Sequence, residues 1–237
     1  LVLHYQPKYE APAGPIIGAE ALLRWNHPTR GLVGPDQFIP TAEKTGLILS
    51  IGEWVINEAC RQMREWIDAG QGHWTIAVNI SALQFAHASL VETVRAALQR
   101  HSVPPACLTL EVTESTAMRD AEASLAVLKR LSNLGVTISI DDFGTGYSSL
   151  LYLKRLPATE LKIDRGFVNQ LENDNEDAAI VSAIVALAQQ LNLRIVAEGV
   201  ETPAQQQFLT GLGCDSLQGF LLGKPMPATE FLEHAVD

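Results

Sequence analysis

Short apolar segments alternate with longer amphipathic ones along the whole chain. Segments rich in β-branched residues predict eight strands, near residues 2–8, 16–23, 75–80, 108–112, 136–140, 160–163, 194–197 and 215–218. Helical periodicity predicts helices near residues 35–45, 52–69, 89–101, 121–133, 149–154, 176–191, 203–212 and 228–235. Glycines stand where helix C-caps belong, at Gly46, Gly70, Gly135 and Gly213. Strands that alternate with helices over 237 residues predict a TIM (β/α)8 barrel.

The first two predicted strands depart from the β/α alternation. Only residues 9–15 separate them, which is too short for a crossover helix, so they are predicted to pair antiparallel. We therefore expect an α/β fold, a modified TIM (β/α)8 barrel with the first strand antiparallel. It should form a single domain over residues 1–237. Because the chain begins at Leu1, inside a predicted strand and without Met, we expect a fragment of a longer multidomain protein.

Composition narrows the class of protein. No stretch reaches the roughly 18 apolar residues that span a membrane, so we expect a cytoplasmic domain and leave open an inner-membrane anchor elsewhere in the full-length protein. The net charge of −10 argues against a partner that is a nucleic-acid polymer. Three widely spaced cysteines without a CxxC motif predict buried thiols, and the six histidines form no zinc-binding pattern.

Polar side chains collect near the C-terminal ends of the predicted strands. In chain order they are Glu20, Arg24, Asn79, Glu111, Glu114, Asp141, Asp142, Lys162, Asp164, Glu198, Glu201 and Gln218. In a TIM barrel this end of the strands carries the active site. Burying so many acids at one mouth is costly unless cations compensate, so the pattern predicts a cation site.

Two adjacent carboxylates, Asp141 and Asp142, precede a turn that contains Gly144 and Gly146. Neighbours in a regular strand point to opposite faces. We therefore expect the pair to converge where the strand ends and bends into a loop, ahead of a helix capped by Ser148.

The donor set indicates the metal. Carboxylate and amide oxygens without Cys or His suit Mg²⁺ or Mn²⁺. Five acids and one amide predict two ions that share a bridging carboxylate, an arrangement that favours phosphoryl chemistry. Arg24 can bind a phosphate and Lys162 can polarise a water. Either side chain could instead form a salt bridge at the barrel rim.

The motifs together resemble the EAL-domain cyclic di-GMP phosphodiesterases. They cover essentially the whole chain, as YQP, EALLRW, VNIS, LEVTES, DDFGTGYSSL, LKID, AEGVE and QGF. The resemblance implies hydrolysis of cyclic di-GMP to linear pGpG by a water that two metal ions activate. It also implies a homodimer, with upstream sensory or GGDEF cyclase domains in the full-length protein.

The resemblance also implies roles for individual residues. One ion would bind Glu20, Asn79, Glu111 and Asp141, and the second would bind Asp141, Asp142 and Glu198. Lys162 would contact the attacking water, and Glu198 is either a metal ligand or a general base. The implied substrate contacts are Gln6, Leu22, Arg24, Asp164, Glu201 and Gln218, while Glu114 would hold the loop over residues 143–149. Ca²⁺ should bind without supporting turnover.

Two other functions stay open. The first is a non-catalytic receptor domain that binds cyclic di-GMP, against which the complete ligand set argues. The second is a Mg²⁺-dependent lyase or isomerase of the enolase type. The adjacent Asp pair and Arg24 argue against it.

Overall fold

The strands of the domain were located in a computed structural model, which describes residues 1–145, 150–171 and 175–235. They are β1 Val2–Glu10, β2 Ile16–His27, β3 Gly31–Val33, β4 Thr75–Asn79, β5 Leu108–Thr113, β6 Thr137–Phe143, β7 Glu160–Ile163, β8 Arg194–Ala197 and β9 Ser216–Leu217.

Helices follow most of these strands. They are α1 Ile39–Thr45, α2 Ile48–Asp68, α3 Ala82–Ala86, α4 Leu90–His101, α5 Glu114–Met118, α6 Ala121–Ser132, α7 Leu150–Leu153, α8 Arg165–Gln170, α9 Asn175–Gln190, α10 Pro203–Leu212 and α11 Ala228–His234. Short 3₁₀ helices occupy Pro35–Gln37 and Pro105–Cys107. The predicted N-cap Ser148 lies outside the described residues.

The strands close into a barrel. The sheet runs in the order β1-β9-β8-β7-β6-β5-β4-β2-β3, and an additional β1–β2 pairing closes the ring. Strand β1 is antiparallel to both of its neighbours, whereas β2 and β4 to β9 pair parallel with one another. The predicted modified TIM barrel with an antiparallel first strand is confirmed, because five residues between β1 and β2 allow a tight connection and no crossover.

The pattern of apolar residues did not predict several short strands and helices. Strand β2 continues to His27, beyond the predicted end at residue 23, because Trp25, Asn26 and His27 pair with the small strand β3. Helices α3, α5 and α8 are five or six residues long, which is too short for a helical period to emerge. Helix α3 did have a local signal, because Ser81 and Gln84 form a capping box.

Antiparallel β1 is fixed to the barrel by an aromatic cluster. Trp66 of α2 stacks on Phe231 of α11 at a centroid distance of 4.9 Å and meets the edge of Tyr5 of β1 at 5.0 Å. Trp74 meets the edge of Trp66 at 5.5 Å. These contacts bury large apolar surfaces, so α2 and α11 hold the strand that closes the barrel.

The cysteines and the helices agree with the expectations from composition. Cys60, Cys107 and Cys214 are all buried free thiols, as the sequence predicted. Within the described ranges, no helix combines the length and the hydropathy that crossing a bilayer requires.

Candidate active site

A cavity of about 490 Å³ opens at the C-terminal end of the barrel strands. Its walls contain most of the polar side chains that the sequence singled out, namely Gln6, Glu20, Leu22, Arg24, Asp141, Asp142, Asp164, Glu198, Glu201 and Gln218. Glu111 and Lys162 are more deeply buried, directly beneath these walls. The parallel strands therefore deliver their polar C-terminal residues to one place, as expected for this fold.

Asp141 and Asp142 both face the cavity, although not in the predicted way. Both residues belong to β6, which extends to Phe143, so the pair does not lie beyond the strand end. The pairing of β6 with β7 shifts register between Ile140 and Phe143, and Asp142 has φ +54°. A bulge with one left-handed residue brings neighbouring side chains to the same side, and Asp tolerates this conformation better than most residues.

Lys162 lies at the centre of the acidic group. Its Nζ atom is 2.6 Å from Glu198 Oε1, 2.8 Å from Glu111 Oε2, 3.4 Å from Asp141 Oδ2 and 3.6 Å from Glu20 Oε2. The side chain is 0% exposed. Burial alone would lower the pKa of Lys162, but the surrounding carboxylates raise it well above its usual value. The ammonium is therefore charged, and the predicted alternative of a rim salt bridge is wrong.

Glu20 is the most firmly oriented acid of the group. Its Oε1 accepts a hydrogen bond from Asn79 Nδ2 at 2.6 Å, and its Oε2 accepts one from Gln218 Nε2 at 2.7 Å. Gln218 Nε2 also donates to Gln6 Oε1 at 3.1 Å. Burial raises the pKa of Glu20, but Lys162 and the two amides outweigh burial and lower it. Glu20 is thus held ionised before any ligand arrives.

Glu111 contrasts with Glu20. Both of its carboxylate oxygens are buried and make no hydrogen bond of good geometry with the described residues, and Oε2 has only the 2.8 Å ion-pair contact with Lys162 Nζ. Burial is the main reason why the pKa of Glu111 is raised well above its usual value. Burial likewise raises the pKa of Glu198, against the opposing charge of Lys162. Burial and the charge of Asp141 raise the pKa of Asp142 to about 6. The site therefore has too few positive charges for its carboxylates.

The donor chemistry fits hard divalent cations. Glu20, Glu111, Asp141, Asp142 and Glu198 offer oxygen ligands, and the buried Oε1 of Glu111 has neither a hydrogen-bond donor nor an ion-pair partner among the described residues. In the described part of the chain no group of three or more acids, histidines or cysteines is arranged so that it could hold a metal ion, and the four acids that do converge surround the Lys162 ammonium. The Lys162 ammonium lies between the acids, so bound cations would have to share these carboxylates with it.

Two predicted residues, Asn79 and Glu114, are not among the residues that line the cavity. Asn79 is at the exposed end of β4 and presents its amide nitrogen to Glu20, so a ligand role requires the amide to turn its oxygen towards the metal. Glu114 begins α5, directly after the end of β5 at Thr113. Its Oε2 accepts a hydrogen bond from Gly144 N at 2.9 Å, which ties it to the residue that follows β6. Residues 146–149 lie outside the described residues.

Arg24 faces the cavity with a largely uncommitted guanidinium. Its Nη1 donates to Leu23 O at 2.9 Å. No ion pair joins Arg24 to an acid within residues 1–145, 150–171 and 175–235. The predicted alternative of a rim salt bridge therefore has no partner in this part of the chain. A free guanidinium beside a cavity is suited to bidentate binding of a phosphate.

The remaining predicted contacts lie along the cavity wall. Asp164 caps α8 through a hydrogen bond from Gly166 N at 2.9 Å and faces the cavity. Glu201 is exposed, and its backbone N–H donates to Gln205 Oε1 at 2.7 Å. Sequence reasoning missed Pro35 and Asp36, which also line the cavity. They follow the β2–β3 hairpin, so no strand end marks them. The exposed ring of Phe220 likewise lines the cavity, and its place within the QGF motif was the available signal.

Comparisons with known proteins agree with the motifs. The chain is 73% identical over 232 residues to the bifunctional diguanylate cyclase/cyclic di-GMP phosphodiesterase MucR of Pseudomonas aeruginosa, covering 98% of this chain and 34% of MucR. It is 47% identical over 227 residues to the cyclic di-GMP phosphodiesterase NbdA of the same organism, covering 96% of this chain and 29% of NbdA. The chain thus spans about a third of the length of these relatives.

A solved structure is also very similar. It is described as the P. aeruginosa MucR phosphodiesterase in complex with c-di-GMP. It superposes with a TM-score of 0.96 at 73% identity, covering 97% of this chain and 93% of that chain. The family model described as the EAL domain matches residues 1–225. The barrel, the acidic site and these comparisons lead to one conclusion: the chain belongs to the EAL domain family.

Proposed function

We propose that this domain hydrolyses cyclic di-GMP to linear pGpG with the help of two Mg²⁺ or Mn²⁺ ions. The observation that carries the proposal is the meeting of five carboxylates, Lys162 and an uncommitted Arg24 at one cavity. Its volume of about 490 Å³ falls within the range of roughly 300–1,000 Å³ typical of small-molecule sites. The names of MucR and NbdA support the same substrate, and EAL phosphodiesterases generally use divalent metals.

Each group then has a task that follows from its chemistry. Glu20, Glu111, Asp141, Asp142 and Glu198 would hold the ions, with Asn79 joining once its amide oxygen turns inward. When bound, such ions supply a water that is nucleophilic at neutral pH and neutralise charge on the phosphodiester.

Other side chains act on the substrate directly. Arg24 would bind non-bridging phosphate oxygens and orient the phosphorus. Lys162 would donate hydrogen bonds from its ammonium to the reacting oxygens and stabilise the negative charge that develops on them. Of the two acids closest to Lys162, Glu198 is the one that lines the cavity, so it is the better placed to accept a proton.

A receptor domain that binds cyclic di-GMP without turnover is the second candidate. The position of the Lys162 ammonium favours it, because the acids already have one cation between them. The intact set of oxygen donors favours hydrolysis.

The deciding experiment is to incubate the purified domain with cyclic di-GMP and to separate the products by chromatography. We expect pGpG with Mg²⁺ or Mn²⁺, and none in excess chelator. Ca²⁺ should bind without supporting turnover, because its longer bonds and looser coordination misplace the reacting groups.

The substitution of Glu53 by Gln serves as a matched control. Glu53 is exposed on α2, away from the cavity, so its loss should leave turnover unchanged. Cyclic di-GMP that binds in Mg²⁺ but remains intact would establish the receptor instead, and hydrolysis in excess chelator would contradict the metal requirement.

We further propose that the domain forms a homodimer. The family resemblance motivates this proposal, and Leu150 and Leu151 at the start of α7 support it, since they are 56% and 77% exposed next to the segment that follows the Asp pair. Light scattering should give twice the mass of the domain, and Leu151→Asp should shift it towards monomer. Leu47, which is 58% exposed elsewhere, provides the control Leu47→Asp. A wild-type monomer well above the assay concentration, with full activity, would contradict a requirement for dimerisation.

The remaining expectations concern the whole protein. The shared third of MucR and the word bifunctional in its name support further domains beyond this one, sensory or cyclase, in the full-length protein. A cytoplasmic location follows from the proposed second-messenger substrate and stays a prediction, as does the extent of a single domain over residues 1–237.

A further inference from the structure

A second ion pair lies inside the barrel, below the acidic site. Lys8 Nζ of β1 is 3.0 Å from Glu160 Oε1 of β7, and the two side chains are 3% and 5% exposed. Strands β9 and β8 separate β1 from β7 in the sheet. The contact therefore crosses the interior of the barrel and does not follow its wall.

The pair belongs to a level of residues beneath the acids. Side chains two residues apart on a strand share a face, so the level is given by the sequence spacing. It includes Gly18 below Glu20, Thr109 below Glu111, Ser139 below Asp141, Glu160 below Lys162 and, on antiparallel β1, Lys8 below Gln6. TIM barrels usually fill this space with bulky branched residues. Here Gly18, Thr109 and Ser139 are small, which leaves room for the long side chain of Lys8.

Glu160 is a potential competitor for Lys162. It lies two residues before Lys162 on the same face of β7 and is buried with it. In a poorly hydrated interior, an anion strongly attracts any nearby cation. Without a partner, Glu160 would draw the flexible Lys162 ammonium downwards, away from Glu198 and Glu111.

Lys8 is the partner that removes this competition. The other cation near Glu160 is Arg194, whose Nη2 is 3.8 Å from Glu160 Oε2 and whose side chain is 56% exposed. Solvent screens such an exposed charge, whereas Lys8 is buried in direct contact. The buried ammonium therefore provides most of the compensation.

We infer that Lys8 is a positioning residue for Lys162. Because Lys8 neutralises Glu160 from across the barrel, the Lys162 ammonium is not drawn towards Glu160 and stays in contact with the acids of the active site. This role rests on the proposed function, because the position of Lys162 affects kcat only if the domain hydrolyses cyclic di-GMP. Lys8 itself contacts neither the cavity nor the proposed metal ligands in the described structure.

The test compares Lys8→Met, Glu160→Gln and the double variant, in alkaline buffer that keeps Glu160 ionised. We expect Lys8→Met to lower kcat at least about tenfold while KM stays within about twofold, because Lys162 acts mainly in the transition state. The double variant should recover to within about threefold of wild type, since the competing anion is gone. Arg194→Met is the matched control and should leave kcat unchanged.

A crystal structure of Lys8→Met gives a readout that does not depend on activity. Lys162 Nζ should move towards Glu160, out of the 2.6 Å contact with Glu198. An undisplaced Lys162, a wild-type kcat in folded Lys8→Met, or a double variant no better than the single would overturn the inference. If Lys8→Met does not fold, Lys8→Gln replaces it under the same criteria. A wild-type domain that makes no pGpG would refute the proposed function, while displacement of Lys162 in the variant would still support the inference.

Discussion

Replacing Lys162 with Ala is expected to lower kcat for cyclic di-GMP by at least about 10², or about 2.7 kcal/mol of transition-state stabilisation. The structure places its ammonium in contact with Glu198 and Glu111, directly beneath the cavity that Arg24 faces. A charge fixed there interacts more strongly with the reacting oxygens as negative charge develops on them than with the bound substrate. KM should therefore change much less than kcat.

Lys162→Ala will also lower the stability of the fold, and the experiment has to distinguish this effect from a loss of catalysis. Removing one partner of a buried ion cluster typically costs about 3–5 kcal/mol, because the remaining charges stay uncompensated. Turnover should be measured in saturating Mg²⁺, on protein shown by circular dichroism to be folded. A normal kcat in folded Lys162→Ala would contradict a catalytic role for Lys162. It would not affect the proposed metal site.

Lys162→Arg is the informative companion variant. It keeps the positive charge, but its planar fork cannot replace a compact ammonium between four carboxylates. We expect kcat to stay low, within about threefold of that of Lys162→Ala. Full rescue by Arg would mean that only the net charge at this position matters.

Replacing Glu20 with Ala is expected to weaken metal binding and turnover together, with a loss in rate of at least about 10² at ordinary Mg²⁺ concentrations. Glu20 is the acid that the structure holds ionised, since Gln218 and Asn79 both donate to it. Its loss removes one anionic ligand and also leaves the Asn79 amide without its acceptor, whereas Gln218 Nε2 keeps Gln6 Oε1. Higher Mg²⁺ should recover part of the activity, because mass action offsets weaker binding.

Glu20→Gln separates the two effects. The amide keeps the size of the side chain and one acceptor oxygen but loses the charge, so we expect weaker Mg²⁺ binding with better retention of the fold. A titration of activity and of thermal stability against Mg²⁺ would give the midpoint for each variant. Near-normal turnover of Glu20→Ala at ordinary Mg²⁺ concentrations would contradict the assignment of Glu20 as a metal ligand.

The sequence by itself determined the architecture and the inventory of the site. Short β-branched segments between amphipathic helices predicted the barrel, and the short link between the first two strands predicted their antiparallel pairing. Polar residues at the strand ends then located the cavity, since parallel strands in a barrel bring the same ends together. The EAL, DDFG and LKID motifs added the resemblance, and the comparisons confirmed the family.

Only the tertiary structure decided how the charges of the site interact. Periodicity describes each strand separately, so it could neither bring Lys8 against Glu160 across the barrel nor show Lys162 fully buried among acids. It also placed the convergence of Asp141 and Asp142 beyond a strand end, whereas a bulge and a left-handed Asp142 achieve it inside β6. Such effects depend on distances between side chains on different strands and on the exclusion of water, and both are fixed only when the barrel closes.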